Sequence, residues 1–300
     1  MSLSENEWVN QSNDEVFLQD KVDLESLSAK LLNSAQKTQA QLKEATIGVS
    51  LSVHTLAKKV GSDEQPDNHL NDEMNDNFKA TFNFNYQESI AHNSASSAKW
   101  LWAVAALASN SSDSLEPYAI PTFVSSDNEA AGKLIDFAGG IDAINSFTRK
   151  LNIAREDWNL CSWNYGRDRR ATNCGTTRNQ FTSKGGVTFL NRLITKQVGI
   201  PTAKADKVIS WAKLSPKSGT GGWLPSLLPN AIKNLVSHKA GWIPSPIGVN
   251  TVNDIALVPL NNGNKYTIAI TIEGGASFSN NYTNLSNLSL EIYNILSQYY

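Results

Sequence analysis

Strand-like alternation occurs in two parts of this sequence that lie far apart, and the chain between them reads as helix. In 46–56, Ile47, Val49, Leu51 and Val53 alternate with small or polar residues, as in a half-buried strand; in 78–86, Phe78, Ala80, Phe82, Phe84 and Tyr86 do the same. The other strands fall past Pro216, at 235–242, 252–260 and 266–272, the last two separated by the hairpin signal Asn261-Asn262-Gly263-Asn264. Helical spacing marks 22–45 (Leu24, Leu27, Leu31, Leu32, Ala35, Leu42) and 285–296 (Leu288, Ile292, Leu296). Between the strand groups, helices are expected at 93–107, 129–137 (stopped by Gly139-Gly140), 141–151, 177–193 and 203–214.

The order is helix, two strands, a helical block, three strands, helix. Pairing the five strands into one antiparallel sheet gives an α+β fold with the terminal helices on one face and an all-α domain inserted between the second and third strands. The expected boundaries are 22–92 together with 216–300 for the sheet domain, and 93–215 for the helical one. A cleft at their junction is the natural ligand site. Residues 4–20 are polar and acidic and expected to fray; 61–77 is a polar loop, 109–114 a Ser-rich turn, and 158–175 an irregular, aromatic and basic stretch.

Composition excludes more than it assigns. With 300 residues, 40% hydrophobic and 18% charged, the chain can bury one large core or two modest ones. A net charge of -2 gives no reason to bind nucleic acid or an anionic membrane. No apolar run approaches bilayer length, so no transmembrane segment is expected; residues 1–30 lack a signal pattern, so the chain is cytoplasmic or begins after a removed leader. The two cysteines, Cys161 and Cys174, have no His between them and no metal-ligand spacing. They are two free thiols or one disulfide closing a short loop; the disulfide is favoured and would imply export, to a periplasmic or secreted location. No metal or cofactor is expected, and a monomer is.

Ser96 and Lys99 form a Ser-x-x-Lys unit at the front of the Ala-, Leu- and Trp-rich 93–107 segment, where the spacing puts hydroxyl and amine on one helix face. An amine whose pKa is lowered by burial and nearby positive charge can take a proton from a serine hydroxyl. The same spacing recurs at Ser34 to Lys37 and Ser210 to Lys213, so position alone does not choose among them.

Further motifs single out Ser96. Ser126-Asp127-Asn128 opens the 129–137 helix, and His238-Lys239-Ala240-Gly241 precedes the closing hairpin. In this order the three elements resemble the S-x-x-K, S-D-N and K-T-G set of serine β-lactamases and penicillin-binding proteins, most closely class A β-lactamases. The run from Ser126 through Leu134-Ile135 to Gly139-Gly140 also looks like that family's helix, and 236–263 like its closing strands. The resemblance implies an acyl-enzyme formed on Ser96 from a β-lactam amide or a peptidoglycan-type acyl-D-Ala-D-Ala peptide. By the same resemblance Lys99 takes part in proton transfer and Ser126 relays the proton to the leaving nitrogen. Asn128 would hold the substrate amide and Lys99, Lys239 would attract the substrate carboxylate, and Ala240, Gly241 and Trp242 would complete the substrate-binding residues. The backbone N–H groups of Ser96 and Trp242 would form the oxyanion hole.

The sequence departs from that pattern in several places. Ser126 stands closer behind Ser96 than in class A enzymes, so part of the helical domain is expected to be missing. Ala240 lacks the hydroxyl that helps bind the substrate carboxylate, and Trp242 stands where a small residue is usual and would narrow the cleft. The loop at 158–174 has no clear counterpart of the deacylating glutamate; Glu156, Asp157 and Asp168 are the nearby carboxylates. A slow step there would leave a penicillin-binding protein or an esterase, and loss of the chemistry altogether would leave a protein that only binds. Lys217-Ser218-Gly219-Thr220-Gly221 competes as the third motif, but Lys239 is favoured because the closing hairpin follows it. The plainer readings are a helix N-cap cluster at 126–128, a solvated edge lysine at 239, Trp100 and Trp102 in the core, and a surface or packed His238.

Overall fold

The computed structural model describes residues 11–56, 78–109, 115–163, 169–172, 174, 178–260 and 263–300. In chain order its elements are α1 (Gln11–Leu42), β1 (Ala45–Leu56), β2 (Phe78–Tyr86), a 3₁₀ turn (Ala95–Ala98), α2 (Lys99–Ser109), α3 (Glu116–Val124), α4 (Asn128–Phe137) and α5 (Ile141–Lys150). The short strands β3 (Trp158–Asn159), β4 (Ser162–Trp163), β5 (Arg169–Arg170) and β6 (Gln180–Phe181) follow. The chain continues through α6 (Ser183–Ile194), α7 (Thr202–Lys213), α8 (Asn230–Lys233), β7 (Ser237–Ile243), β8 (Thr251–Pro259), β9 (Lys265–Gly274) and α9 (Phe278–Leu296). The expected loop at 61–77, the Ser-rich turn beyond Ser109, Asn261 and Asn262 of the hairpin tip, and Asp168 lie outside the described residues.

β1, β2, β7, β8 and β9 form one sheet in the order β2-β1-β9-β8-β7, every neighbouring pair antiparallel. The period-two pattern sets its faces. Ile268, Ile270 and Ile272 of β9 join Ile47, Val49 and Leu51 of β1 in a core closed by Leu27 and Leu31 of α1 and Leu288 and Ile292 of α9. Ala269 and Ile255 look the other way, into a core shared with α2, α4 and α6.

That second cover corrects the reading of β1. It is buried along nearly its whole length rather than half-buried, because α6 lies across its other face, with Ser183 Oγ 3.1 Å from Ser50 Oγ and Asn191 Oδ1 2.9 Å from His54 Nε2. Gly186 permits this approach: a Cβ there would sit 2.8 Å from Phe181 and 3.0 Å from the Ala269 methyl. Other differences are local. α1 begins at Gln11, where a frayed segment was expected, and α6 at Ser183 rather than 177. α3 is unforeseen: Pro117 sits in its first turn, where a missing N–H costs nothing, but Pro121 inside it masks the helical pattern. Cys161 and Cys174 form a disulfide with Cα atoms 5.3 Å apart. Among the described residues no helix is long and apolar enough to cross a membrane.

Candidate active site

α2 is apolar on all sides and wholly buried from Lys99 to Leu107, as a helix without a polar face must be. Trp100 and Trp102 are therefore core residues, Trp100 packing edge-on to Phe123 at 5.6 Å and donating to the Ile255 carbonyl at 3.3 Å. The 3₁₀ turn ahead of α2 presents Ser96, half-buried. Its backbone is tied down from several sides: Asn93 N–H donates to Glu273 Oε2 at 2.8 Å, Ala95 N–H to Asn93 Oδ1 at 3.0 Å, and Ser97 N–H to the Ser94 carbonyl at 3.1 Å.

Lys99 is fully buried, and its amine is enclosed by the second motif. Nζ lies 2.6 Å from the Ser126 carbonyl, 3.0 Å from Ser126 Oγ and 2.9 Å from Asn128 Oδ1. Ser126 reaches this position with φ at 57°, and Asp127 caps α4 by accepting the Ala130 N–H at 2.8 Å. The N-cap reading of 126–128 thus holds for Asp127, while Ser126 and Asn128 are turned to Lys99. Burial holds the Lys99 amine well below the usual lysine range, the Lys239 charge lowers it further, and Asp127 opposes both. All three of these contacts are donated by Nζ, to the Ser126 carbonyl, Ser126 Oγ and Asn128 Oδ1. No hydrogen bond joins Lys99 to Ser96 Oγ among the described residues. On its remaining side Lys99 meets the ring of Trp163, 5.4 Å from Nζ, which packs edge-on to Trp102.

β7 closes the site from the other side. Lys239 and Gly241 alternate toward the Ser96 turn, and a Cβ on Gly241 would fall 2.6 Å from Ser96 N and 2.4 Å from Ser97 N, so strand and turn are in backbone contact. Lys239 is no solvated edge lysine. It is 2% exposed, its Nζ donates to the Ala240 carbonyl at 2.9 Å, and burial lowers its pKa to about 8 against the pull of Asp254. It floors a cavity of about 230 Å³ with Ser125, Ser126, Thr220, Gly221 and Trp242 on its walls. Trp242 is half-buried and packs edge-on to Trp223 at 5.3 Å. The Ala240 methyl is buried in the core with α9. His238 is packed rather than exposed, its Nδ1 2.9 Å from Asp254 Oδ1 and its Nε2 2.7 Å from the Pro216 carbonyl.

The depressed Lys239 pKa makes stability depend on pH. Between about 8 and the ordinary lysine value of 10.5 the unfolded chain binds the extra proton, so stability rises with pH through that window. The share of Lys239 is about 3 kcal/mol less stability below the window than above it. Lys217, lowered by burial to about 8, and Lys99 add to the same rise; calorimetric melting from pH 7.5 to 10.5 checks this, Lys239→Met should lessen the rise by its own share, and an undiminished rise in the variant would show that Lys239 has none.

Neither described carboxylate of the loop is paired with Lys99. Asp157 is buried against Thr182 Oγ1 at 3.1 Å and Lys184 Nζ at 3.2 Å, and Glu156 is exposed with its carbonyl taken by Gln180. Of the residues now seen around the site, Trp163 and Asp254 carried no sequence signal: one sits in an irregular stretch without period, the other among the apolar residues of a strand.

Solved structures with the same fold are class A β-lactamases. A class A β-lactamase from Bacteroides cellulosilyticus matches with a TM-score of 0.68 at 22% identity, over 91% of this chain and 99% of its own. The TLA-3 extended-spectrum β-lactamase matches with 0.68 at 18%, over 91% and 99%. The chromosome-encoded β-lactamase of Vibrio parahaemolyticus matches with 0.65 at 15%, over 90% and 98%. No curated protein matches the sequence. The architecture is thus that of a class A β-lactamase. Residues 104–296 match the model of the β-lactamase enzyme family, and the chain belongs to that family.

Proposed function

We propose that this protein is a serine acyl-transfer enzyme in which Ser96 Oγ attacks the carbonyl of a β-lactam amide. The observation that carries the reading is the buried Lys99 amine held by Ser126 and Asn128 next to the Ser96 turn. Ser96 gives its proton to neutral Lys99 as the O–C bond forms. The Ser126 hydroxyl, hydrogen-bonded to Lys99, passes a proton to the ring nitrogen as the C–N bond breaks, and Lys99 restores it. The N–H groups of Ser96 and Trp242 receive the developing oxyanion, a contribution of about 3 kcal/mol where such holes have been dissected. Lys239 attracts the substrate carboxylate from the base of its cavity. The Cys161–Cys174 disulfide supports a periplasmic or secreted location.

Trp163 favours a second reading of the later step. Its ring occupies one side of Lys99, and neither Glu156 nor Asp157 approaches the amine. On this reading neither described carboxylate of the loop activates water beside Lys99, and the acyl-enzyme outlives its formation, as in a penicillin-binding protein or a slow D-Ala-D-Ala peptidase. Stopped-flow reaction with a chromogenic cephalosporin tests both. The expected trace is a burst of one equivalent per protein followed by turnover at least tenfold slower, absent in Ser96→Ala. A linear trace without a burst removes the slow-deacylation reading; a burst that survives in Ser96→Ala removes the nucleophile.

A further inference from the structure

We propose that the carboxylate-binding element of this site is split: the cation is Lys239 of β7, and the hydroxyl that works with it is Thr220 of the 216–224 loop. The proposal rests on the acyl-transfer reading for the kind of ligand, a small molecule carrying one carboxylate beside its reacting amide. The sequence offers two incomplete versions of one motif. Lys217-Ser218-Gly219-Thr220-Gly221 has the hydroxyl but no following strand, and His238-Lys239-Ala240-Gly241 has the strand but no hydroxyl. In the folded chain they stop competing, because Thr220 and Gly221 wall the same cavity that Lys239 floors.

The other member of each motif is committed elsewhere. Lys217 Nζ donates to the Val236 carbonyl at 2.6 Å, at the entrance to β7, so its amine serves the loop. Ala240 is 1% exposed and contributes its methyl to the core with α9. Thr220 is exposed, and its hydroxyl makes no hydrogen bond among the described residues. Lys239 uses one donor on the Ala240 carbonyl, which leaves two for an incoming anion.

The loop is held where it can serve this purpose. Besides the Lys217 bond, its two ends are fixed by the buried His238–Asp254 pair, His238 Nε2 lying 2.7 Å from the Pro216 carbonyl and Asp254 Oδ2 accepting the Leu224 N–H at 3.1 Å. Thr220 therefore stands on a segment clamped at both ends. A carboxylate has two oxygens; one takes the Lys239 ammonium and the other the Thr220 hydroxyl, a charge-assisted bond that a methyl cannot replace.

The test is a binding measurement that does not depend on the chemistry. In a Ser96→Ala background, calorimetric titration compares benzylpenicillin with its methyl ester. The acid should bind more tightly than the ester; Thr220→Val should weaken the acid about tenfold and leave the ester unchanged, and Thr220→Ser should stay within about twofold of its parent. Equal affinity for acid and ester, an acid affinity indifferent to Thr220→Val, or equal losses for both ligands would each overturn the proposal. Acylation of the unmodified protein is read separately, so a Ser96 that never reacts would defeat the acyl-transfer reading and leave the split element standing on its own result.

Discussion

Replacing Lys99 with methionine lowers the rate of acylation by a penicillin roughly 10³-fold, near the middle of what positioned proton transfer contributes. The side chain keeps its length and its packing against Trp163 but loses the nitrogen that bonds to Ser126 and Asn128. Among the described residues, His238 is taken up by Asp254 and Pro216, and Asp157 by Thr182 and Lys184. The pH profile carries the same information. Burial and the Lys239 charge lower the Lys99 pKa, so the reactive neutral form persists below the ordinary lysine range, and the acylation rate declines as pH falls through the lowered value. The variant should lose that limb as well as the rate. Second-order acylation constants from pH 5 to 9, with circular dichroism to verify folding, measure both; a folded variant within tenfold of the parent would remove Lys99 from the mechanism.

Gly241→Ala should cost about 10²-fold in acylation and about 1–3 kcal/mol in stability. The new methyl would lie within 2.6 Å of the backbone nitrogens of Ser96 and Ser97. No flexible side chain can yield there, so β7 or the turn must move, and overpacking of this sort costs a few kcal/mol. Displacement of either backbone by the order of 1 Å separates the nucleophile from the N–H groups proposed to hold the oxyanion. Urea denaturation together with acylation kinetics reads both effects. An unchanged midpoint and rate would show that strand and turn are not in the contact described.

The parts of the fold that were legible from sequence are those where one period runs uninterrupted. β9 could be placed because its isoleucines recur every second residue, and α9 because Leu288, Ile292 and Leu296 recur every fourth. α3 was hidden by Pro121, and the early start of α1 by a polar stretch with no apolar stripe to mark it. The reading of β1 as half-buried failed for another reason: alternation shows that one face is apolar, but small residues such as Gly48, Ser50 and Ser52 also suit a face covered by a close-packed helix.

The candidate site could be proposed from the sequence as chemistry and less so as geometry. The order of its motifs was enough to bring forward Ser96, Lys99, Ser126, Asn128 and Lys239. That Lys239 is buried, that Ser126 and Asn128 turn to Lys99, and that Trp163 lies over Lys99 depend on contacts between segments distant in the chain. The two versions of the third motif show the limit most plainly. Along the sequence Lys217 to Gly221 and His238 to Gly241 are rivals, whereas around one cavity Thr220 and Lys239 are neighbours.

The central claim is that Ser96 becomes covalently acylated, and intact-protein mass spectrometry after mixing with benzylpenicillin tests it most directly. The account predicts a gain equal to the mass of the whole penicillin, mapped by peptide digestion to Ser96, absent in Ser96→Ala and persisting at least tenfold longer than it takes to form. An unmodified protein, or an adduct that maps elsewhere and survives in Ser96→Ala, would contradict it.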